Sequence, residues 1–80
     1  MISCALHDYI EIACLYRYRV KLQLSSGRSV TGEAVSTETS ADKKEYLLLD
    51  GNAQSLRIEL SGIQSMQALT ANPHFDIIRF

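Results

Sequence analysis

The spacing of apolar residues in the first part of the chain is that of a helix. The residues that recur at i, i+3 and i+4 on one helix face are Ile10, Ala13 and Cys14. Asp8 is a favoured N-cap residue, and Glu11 follows three positions later, which is the spacing of a capping box. We therefore predict a helix over about residues 8–15. Because a helix of this length is marginal in isolation, its apolar residues must pack on another element.

After this helix, apolar and polar residues alternate in short runs separated by glycine, serine and asparagine, which indicates β-strands. The clearest run is 18–24, where Tyr18, Val20 and Leu22 share one face while Arg19 and Lys21 share the other. The predicted strands are 18–24, 29–37, 45–50, 54–60, 63–68 and a final β segment, 75–80. Predicted turns lie at 25–27, 50–51 and 61–62, and exposed loops at 37–44 and 70–74.

Gly32 lies inside the second predicted strand, where glycine usually marks a bulge or a bend with another backbone close by. Together these patterns predict a mainly β fold: one N-terminal α-helix and five or six antiparallel strands in a small, strongly curved sheet that closes toward a barrel. A chain of 80 residues has room for one hydrophobic core, so we expect a single domain over residues 1–80.

Charge and composition narrow the possible functions. The net charge is −1 with a pI near 6.0, whereas proteins that bind nucleic acid by counterion release usually show a clear basic excess. Direct nucleic-acid binding is therefore not expected. No apolar run approaches the length of a membrane span, and no signal-peptide pattern is present, so we expect a cytoplasmic protein.

No arrangement of residues indicates catalysis or a cofactor. The two histidines stand apart and no hydrolase or metalloprotease motif occurs, so we expect no enzyme activity. Cys4 and Cys14 form no CxxC pair and have no paired histidines near them, which argues against a metal or redox site. We interpret Cys14 as a small apolar residue on the buried side of the helix.

Two groups of residues have both a structural and a functional interpretation. Tyr16, Arg17, Tyr18 and Arg19 interleave aromatic and basic side chains, as RNA-binding surfaces do, but they equally fit the ordinary solvent face of a strand. Asp8 and Glu11 fit a capping box, but a pair of carboxylates one helical turn apart also suits a basic partner. The two interpretations of the acidic pair are compatible with each other.

Specific blocks of the sequence resemble the Rho-binding antiterminator family, Rof (also called YaeO). The similar segments are Ile2-Ser3-Cys4, the block Asp8-Tyr9-Ile10-Glu11-Ile12-Ala13-Cys14, the strand that follows it, Gly27, Gly32, Glu45-Tyr46-Leu47 and Arg57-Ile58-Glu59-Leu60. The resemblance spans nearly the whole chain, and the block from Asp8 to Cys14 is its most specific part. It implies a bacterial cytoplasmic protein with an Sm-like barrel preceded by an N-terminal helix.

The resemblance also implies a function and a partner. Members bind the hexameric termination factor Rho at or beside its primary RNA-binding site, keep RNA off and so inhibit termination. Acidic side chains of the helix belong to this contact, and the matching positions here are Asp8 and Glu11. We include the adjacent His7 and Tyr9 in the expected interface. The protein is then a non-enzymatic inhibitor, monomeric when free.

Two other functions stay open at this point. One is an Sm-like RNA-binding module, assembled as a ring, that uses Tyr16, Arg17, Tyr18 and Arg19. The other is an adaptor for a different bacterial complex. Binding of single-stranded RNA by the protein alone would favour the RNA-binding module.

Overall fold

The computed structural model describes residues 4–51 and 54–80, with side chains from Leu6 onward. These residues form one helix, six strands and a short 3-10 helix. In chain order the elements are α1 (Cys4–Leu15), β1 (Arg19–Leu24), β2 (Ser29–Thr39), β3 (Glu45–Gly51), β4 (Gln54–Glu59), the 3-10 helix (Leu60–Gly62), β5 (Ile63–Ala68) and β6 (Ile77–Arg79). The prediction of a mainly β fold with an N-terminal helix is confirmed.

All six strands belong to one antiparallel sheet in the order β4-β3-β2-β1-β5-β6. In the described part of the chain, hydrogen bonds do not join the two outer strands, β4 and β6, so the sheet is not a closed barrel. It is nevertheless strongly curved. In a flat sheet, four strand spacings of about 4.8 Å would place β4 about 19 Å from β5. The chain from Glu59 to Ile63 reaches at most about 14 Å, so the sheet must bend round on itself.

Two irregularities in strand pairing accompany this curvature. The register of β2 with β3 shifts between Ala34 and Ser36, which leaves Val35 as a bulge. The register of β1 with β5 also shifts, because Gln23 lies opposite Ser65 while Leu24 lies opposite Ile63. Each bulge increases the local twist and bending of its strand.

Gly32 allows another backbone to approach, as its position inside a strand predicted. A Cβ atom at this position would lie 2.8 Å from the carbonyl oxygen of Asp50 on β3. The bulge itself lies at Val35 rather than at Gly32. The glycine in the sequence therefore predicted the close approach of another backbone correctly. It did not predict the position of the bulge, because the bulged residue is Val35.

The core lies between the inner face of the sheet and α1. Its buried residues are Ile10, Ala13, Tyr18, Val20, Leu22, Ala34, Leu47, Leu49, Leu60, Ile63, Met66 and Phe75. The inward positions of β1 alternate with its exposed basic positions, as predicted. On α1, Ile10 and Ala13 are fully buried, so packing on the sheet holds the helix in place.

The start of α1 differs from the prediction, which placed it near residue 8. The helix begins at Cys4, so Asp8 lies in its second turn, and the capping box predicted for Asp8 and Glu11 is wrong. The backbone N–H groups after Asp8 already have partners one turn earlier, and only the first four N–H groups of a helix need a cap. Asp8 was taken for the cap because Glu11 follows it at the spacing of a capping box.

The end of α1 is fixed by a Schellman motif. The N–H of Tyr18 donates to the carbonyl of Ala13 at 2.9 Å, and the N–H of Arg17 donates to that of Cys14 at 3.2 Å. Arg17 takes the left-handed conformation that this motif requires, with φ 54°, although glycine is the usual residue there. Tyr18 therefore precedes β1 instead of beginning it, and its ring joins the core.

Smaller differences concern loops and strand ends. β2 continues to Thr39, so the exposed loop predicted for 37–44 is shorter. β6 covers only Ile77–Arg79, while Phe75 contributes its ring to the core from a loop. Asp50 and Gly51, predicted as a turn, belong to β3 instead, and residues 52–53 lie outside the described residues. β5 spans the predicted residues.

Candidate partner-binding surface

The outer surface of α1 combines two carboxylates with an exposed apolar side chain. Asp8, Glu11 and Leu15 lie three and four residues apart, which puts them on one side of the helix. Both acids are exposed, and Leu15 is 72% exposed. Among the residues that the structure describes, neither acid has an ion-pair or hydrogen-bond partner. We call these three residues the acidic helix face.

A shallow groove separates this face from β2. Its walls are the acidic helix face and the segment around the bulge, Val35, Ser36 and Thr37, with Ile12 and Cys14 between them. The groove therefore has an apolar centre and carboxylates at its rim. Such a surface suits a partner that presents basic side chains around an apolar one.

His7 and Tyr9, the other two residues of the predicted interface, connect the helix to the rest of the fold. The Nε2 atom of His7 lies 2.6 Å from Oε2 of Glu45 on β3, in a partly buried contact. The ring of Tyr9 meets that of Phe75 edge-on, with centroids 5.6 Å apart. These two side chains orient the helix, whereas Asp8 and Glu11 stay free to contact a partner.

Cys14 borders the groove, and its thiol is a weak acid in this environment. Burial raises the pKa of the Cys14 thiol from 9.0 to about 11, opposed by the nearby Arg17 and reinforced by Glu11. Thiolate is therefore scarce near neutral pH, and Cys14 contributes shape rather than reactivity. This agrees with its interpretation as a small apolar residue.

The four residues proposed for RNA binding occupy dissimilar environments. Tyr18 is 7% exposed and belongs to the core, so its ring is not available to stack on a base. Arg17 lies 3.7 Å from Glu33 in an exposed ion pair. Arg19 is exposed and has no acidic partner in the described part of the chain. Tyr16 is 56% exposed and stacks against Tyr18 with centroids 5.7 Å apart.

His74 joins this aromatic group, which the sequence did not indicate. Its ring stacks on Tyr16 with centroids 5.7 Å apart and an angle of 14° between the planes. Asn72 shapes the loop that carries His74, because its Oδ1 accepts hydrogen bonds from the N–H groups of His74 and Phe75. Fifty-eight positions separate Tyr16 from His74, so no local sequence pattern relates them.

The described side chains provide no obvious metal site, since no three His, Cys, Asp or Glu residues among them cluster at ligand distances. Within the same residues, no helix is long and apolar enough to cross a membrane.

The fold and this surface define a class: a small, mainly β domain with an N-terminal helix that presents an acidic face. Comparison with protein families identifies the family. A family model described as modulator of Rho-dependent transcription termination (ROF) matches residues 1–80. The chain therefore belongs to the ROF family, which confirms the resemblance seen in the sequence.

A solved structure supports this assignment. The chain is similar to YaeO bound to magnesium from Vibrio cholerae O395, with 40% sequence identity and a TM-score of 0.85. The match covers 91% of this chain and 95% of that one. In a comparison with curated proteins, nothing matches. The family is thus a regulatory one that modulates transcription termination.

Proposed function

We propose that this protein inhibits Rho-dependent termination by binding the Rho hexamer through the acidic helix face, at or near the primary RNA-binding site of Rho. It acts in the cytoplasm as a binding protein rather than an enzyme. The single observation that carries this proposal is the pair of exposed carboxylates, Asp8 and Glu11, without a partner among the described residues of a ROF family member.

The proposed mechanism follows from what an RNA-binding surface must contain. A site that holds phosphate groups presents arginine and lysine side chains, and carboxylates accept charge-assisted hydrogen bonds from the same donors. Bound at such a site, Asp8 and Glu11 would take the positions of phosphates and block RNA loading. Leu15, which lines the groove together with the two acids, would supply the apolar contact that binding sites of this kind place near their centre.

Physical magnitudes favour a measurable role for each acid. A hydrogen bond to a charged group contributes about 1.5–3 kcal/mol, which corresponds to a change in affinity of about 10-fold to 150-fold. The side chains of His7 and Tyr9 each already contact a residue within the fold. Their contribution to binding is to hold the helix at the angle that presents Asp8 and Glu11.

The direct test is binding of variants to purified Rho. We expect Glu11→Lys to abolish binding and Asp8→Ala to weaken it by 10-fold or more, about 1.4 kcal/mol. The matched control is Asp76→Lys, because Asp76 is exposed and lies next to β6 rather than on α1. If Glu11→Lys binds Rho as tightly as the parent protein, the acidic helix face is not the interface.

Two further measurements are needed: one checks that the variants fold, and the other tests whether the protein displaces RNA from Rho. Thermal unfolding checks that both variants stay folded, since exposed substitutions usually change stability by less than about 0.5 kcal/mol. RNA binding to Rho is then measured with increasing amounts of the protein. We expect RNA to be displaced; formation of a complex in which Rho holds RNA and this protein together with undiminished affinity would contradict the proposed block.

A further inference from the structure

A second charged surface lies on the side of the sheet that faces away from the core. Arg19 and Lys21 point outward from β1, and Arg79 points outward from β6. The strand pairing connects them through uncharged polar residues: Lys21 lies opposite both Thr31 and Gln67, and Arg79 lies opposite Ser65. We call these six residues the basic sheet face.

The three cations of the basic sheet face have no ion-pair partner among the described residues, unlike most of the other cations. Within the described part of the chain, Arg19, Lys21 and Arg79 form no ion pair. Elsewhere the ammonium of Lys44 lies 3.9 Å from carboxylate oxygens of Asp42 and Glu59. The guanidinium of Arg57 lies 3.2 Å from Glu38 and 3.7 Å from the ring centroid of Tyr46.

Acidic residues are scarce at the same positions. Among the described outward positions that pair across β1, β2, β5 and β6, Glu33 is the one acid, and it lies at the end of β1, opposite Arg19. The carboxylate of Glu33 forms an ion pair with Arg17. The net charge of −1 therefore averages over two surfaces that, among the described residues, carry unpaired acids on the helix and unpaired cations on the sheet. Bulk charge conceals this separation.

Aromatic side chains lie close to one end of the basic sheet face. The N–H of Arg19 donates to the Thr70 hydroxyl at 3.0 Å, and its carbonyl accepts from the N–H of Leu69 at 2.8 Å. These two hydrogen bonds hold Leu69 and Thr70, at the start of the loop that carries His74, next to Arg19. The exposed ring pair formed by His74 and Tyr16 thus lies beyond the end of β1 that Arg19 occupies.

From this arrangement we propose that the basic sheet face binds the backbone of single-stranded RNA. Arg19, Lys21 and Arg79 contact phosphates, the hydroxyl and amide groups between them hydrogen-bond to phosphate or sugar oxygens, and the His74–Tyr16 pair stacks on a base. The interaction goes beyond the proposed binding of Rho, because it uses residues outside α1. It also departs from the expectation, drawn from net charge alone, that the protein does not bind nucleic acid.

An RNA strand fits this face better than an acidic protein does. Protein interfaces gather their binding energy at buried apolar or aromatic anchors near their centre, whereas the centre here consists of Lys21, Thr31 and Gln67. The exposed apolar side chain of Ile77 lies to one side, opposite Gln67. Hydroxyl and amide side chains between cations are the usual companions of phosphate contacts. Successive outward residues of a strand are about 6.7 Å apart, so Arg19 and Lys21 present two well-separated charges to an extended strand.

The test measures binding of fluorescent single-stranded RNA to the protein alone by anisotropy, in 50 and 200 mM salt. Three phosphate contacts predict a slope of about −2.1 in the plot of log affinity against log salt, hence a loss of about 18-fold between the two conditions. We expect Lys21→Glu and Arg79→Glu each to weaken binding about 10-fold and to reduce the slope by about 0.7. His74→Ala should weaken binding at every salt concentration without changing the slope.

The matched control is Lys43→Glu, which makes the same change in net charge at an exposed cation in the loop before β3. It should bind RNA nearly as well as the parent protein. If the parent does not bind RNA in 50 mM salt, or if Lys43→Glu weakens binding as much as Lys21→Glu, the proposal is wrong. Equally tight binding of polyglutamate, also lost in Lys21→Glu, would reassign the face to acidic proteins.

Failure of this proposal is distinguishable from failure of the proposed function. Lys21→Glu should retain binding to Rho, since it leaves α1 unchanged, whereas Glu11→Lys should retain binding to RNA. Parallel loss of both activities in either variant, with unfolding excluded by circular dichroism, would contradict the assignment of two separate surfaces.

Discussion

The acidic helix face and the basic sheet face are held in place by different kinds of interaction. Among the described residues, side chains attach the body of the helix to the rest of the fold: Ile10 and Ala13 in the core, His7 against Glu45, and Tyr9 against Phe75. Backbone hydrogen bonds on both sides hold β1, the strand at the centre of the basic sheet face. The position of the acids is therefore sensitive to core packing, and that of the cations is set by strand register.

This difference explains why the two faces remain separate in so small a protein. Alternation along β1 sends Val20 and Leu22 inward, and Arg19 and Lys21 must then point outward. No comparable rule places Asp8 and Glu11; they are exposed because Ile10 and Ala13 determine which side of the helix is buried. A change in one anchor can thus disturb the helix while the sheet keeps its geometry.

The largest effect is expected from shortening the central anchor of the helix. Ile10→Ala removes a fully buried side chain and should lower the free energy of unfolding by about 2–5 kcal/mol. Denaturant unfolding measures this loss. Ile77→Ala is the control, since Ile77 is 44% exposed and should change stability far less. Similar losses in the two variants would mean that the helix is not anchored through Ile10.

An intermediate effect is expected from filling the space beside β3. In Gly32→Ala the new Cβ would lie 2.8 Å from the Asp50 carbonyl oxygen, so two hydrogen-bonded strands must shift. Overpacking of this kind costs about 1–3 kcal/mol. The control is Gly62→Ala, where nothing lies within 4 Å of the added atom. A thermal melt of Gly32→Ala that matches the parent would show that the sheet adapts at this point.

The smallest effect is expected at Arg17, in the turn between α1 and β1. Arg17 has φ 54°, which costs about 1–2 kcal/mol for a residue other than glycine. Arg17→Gly relieves this strain but removes the exposed ion pair with Glu33, which contributes about 0–1 kcal/mol. Arg17→Ala loses the same ion pair and keeps the strain. We expect the glycine variant to be about 1 kcal/mol more stable than the alanine variant in urea unfolding; equal stabilities would rule out strain at Arg17.

Much of this architecture was predictable because local patterns reflect which face is buried. The alternation in 18–24 and the turn at Gly27, where φ is +94°, were sufficient to place the first hairpin. The same reasoning was wrong at the start of α1, which it placed near Asp8 although Ser3, also a favoured N-cap residue type, stands directly before Cys4. Helix extent there depends on neighbouring packing, which one sequence does not contain.

The candidate surfaces were predictable only in part, for a related reason. Asp8 and Glu11 were identified from their residue type and spacing, and their exposure agrees with that choice. The engagement of His7 with Glu45 and the stacking of His74 on Tyr16 join residues distant in the sequence. Arg79 reaches the basic sheet face only because β6 pairs with β5. Such neighbours follow from topology, which periodicity does not encode.

The pairing of β6 also limits how copies of this protein can associate. β6 and the bonds beside it, from Ala68 N–H to the Asp76 carbonyl and from Phe80 N–H to the Gln64 carbonyl, occupy the outer edge of β5. Head-to-tail assembly through strands would therefore require β4 of one copy to pair with the outer edge of β6 in the next. In the described part of the chain, β4 is the long strand with an open edge, and two identical edges can only join as a closed pair. The edge opposite β4 is thus a strand of three residues instead of the six of β5, which shortens the template for such pairing.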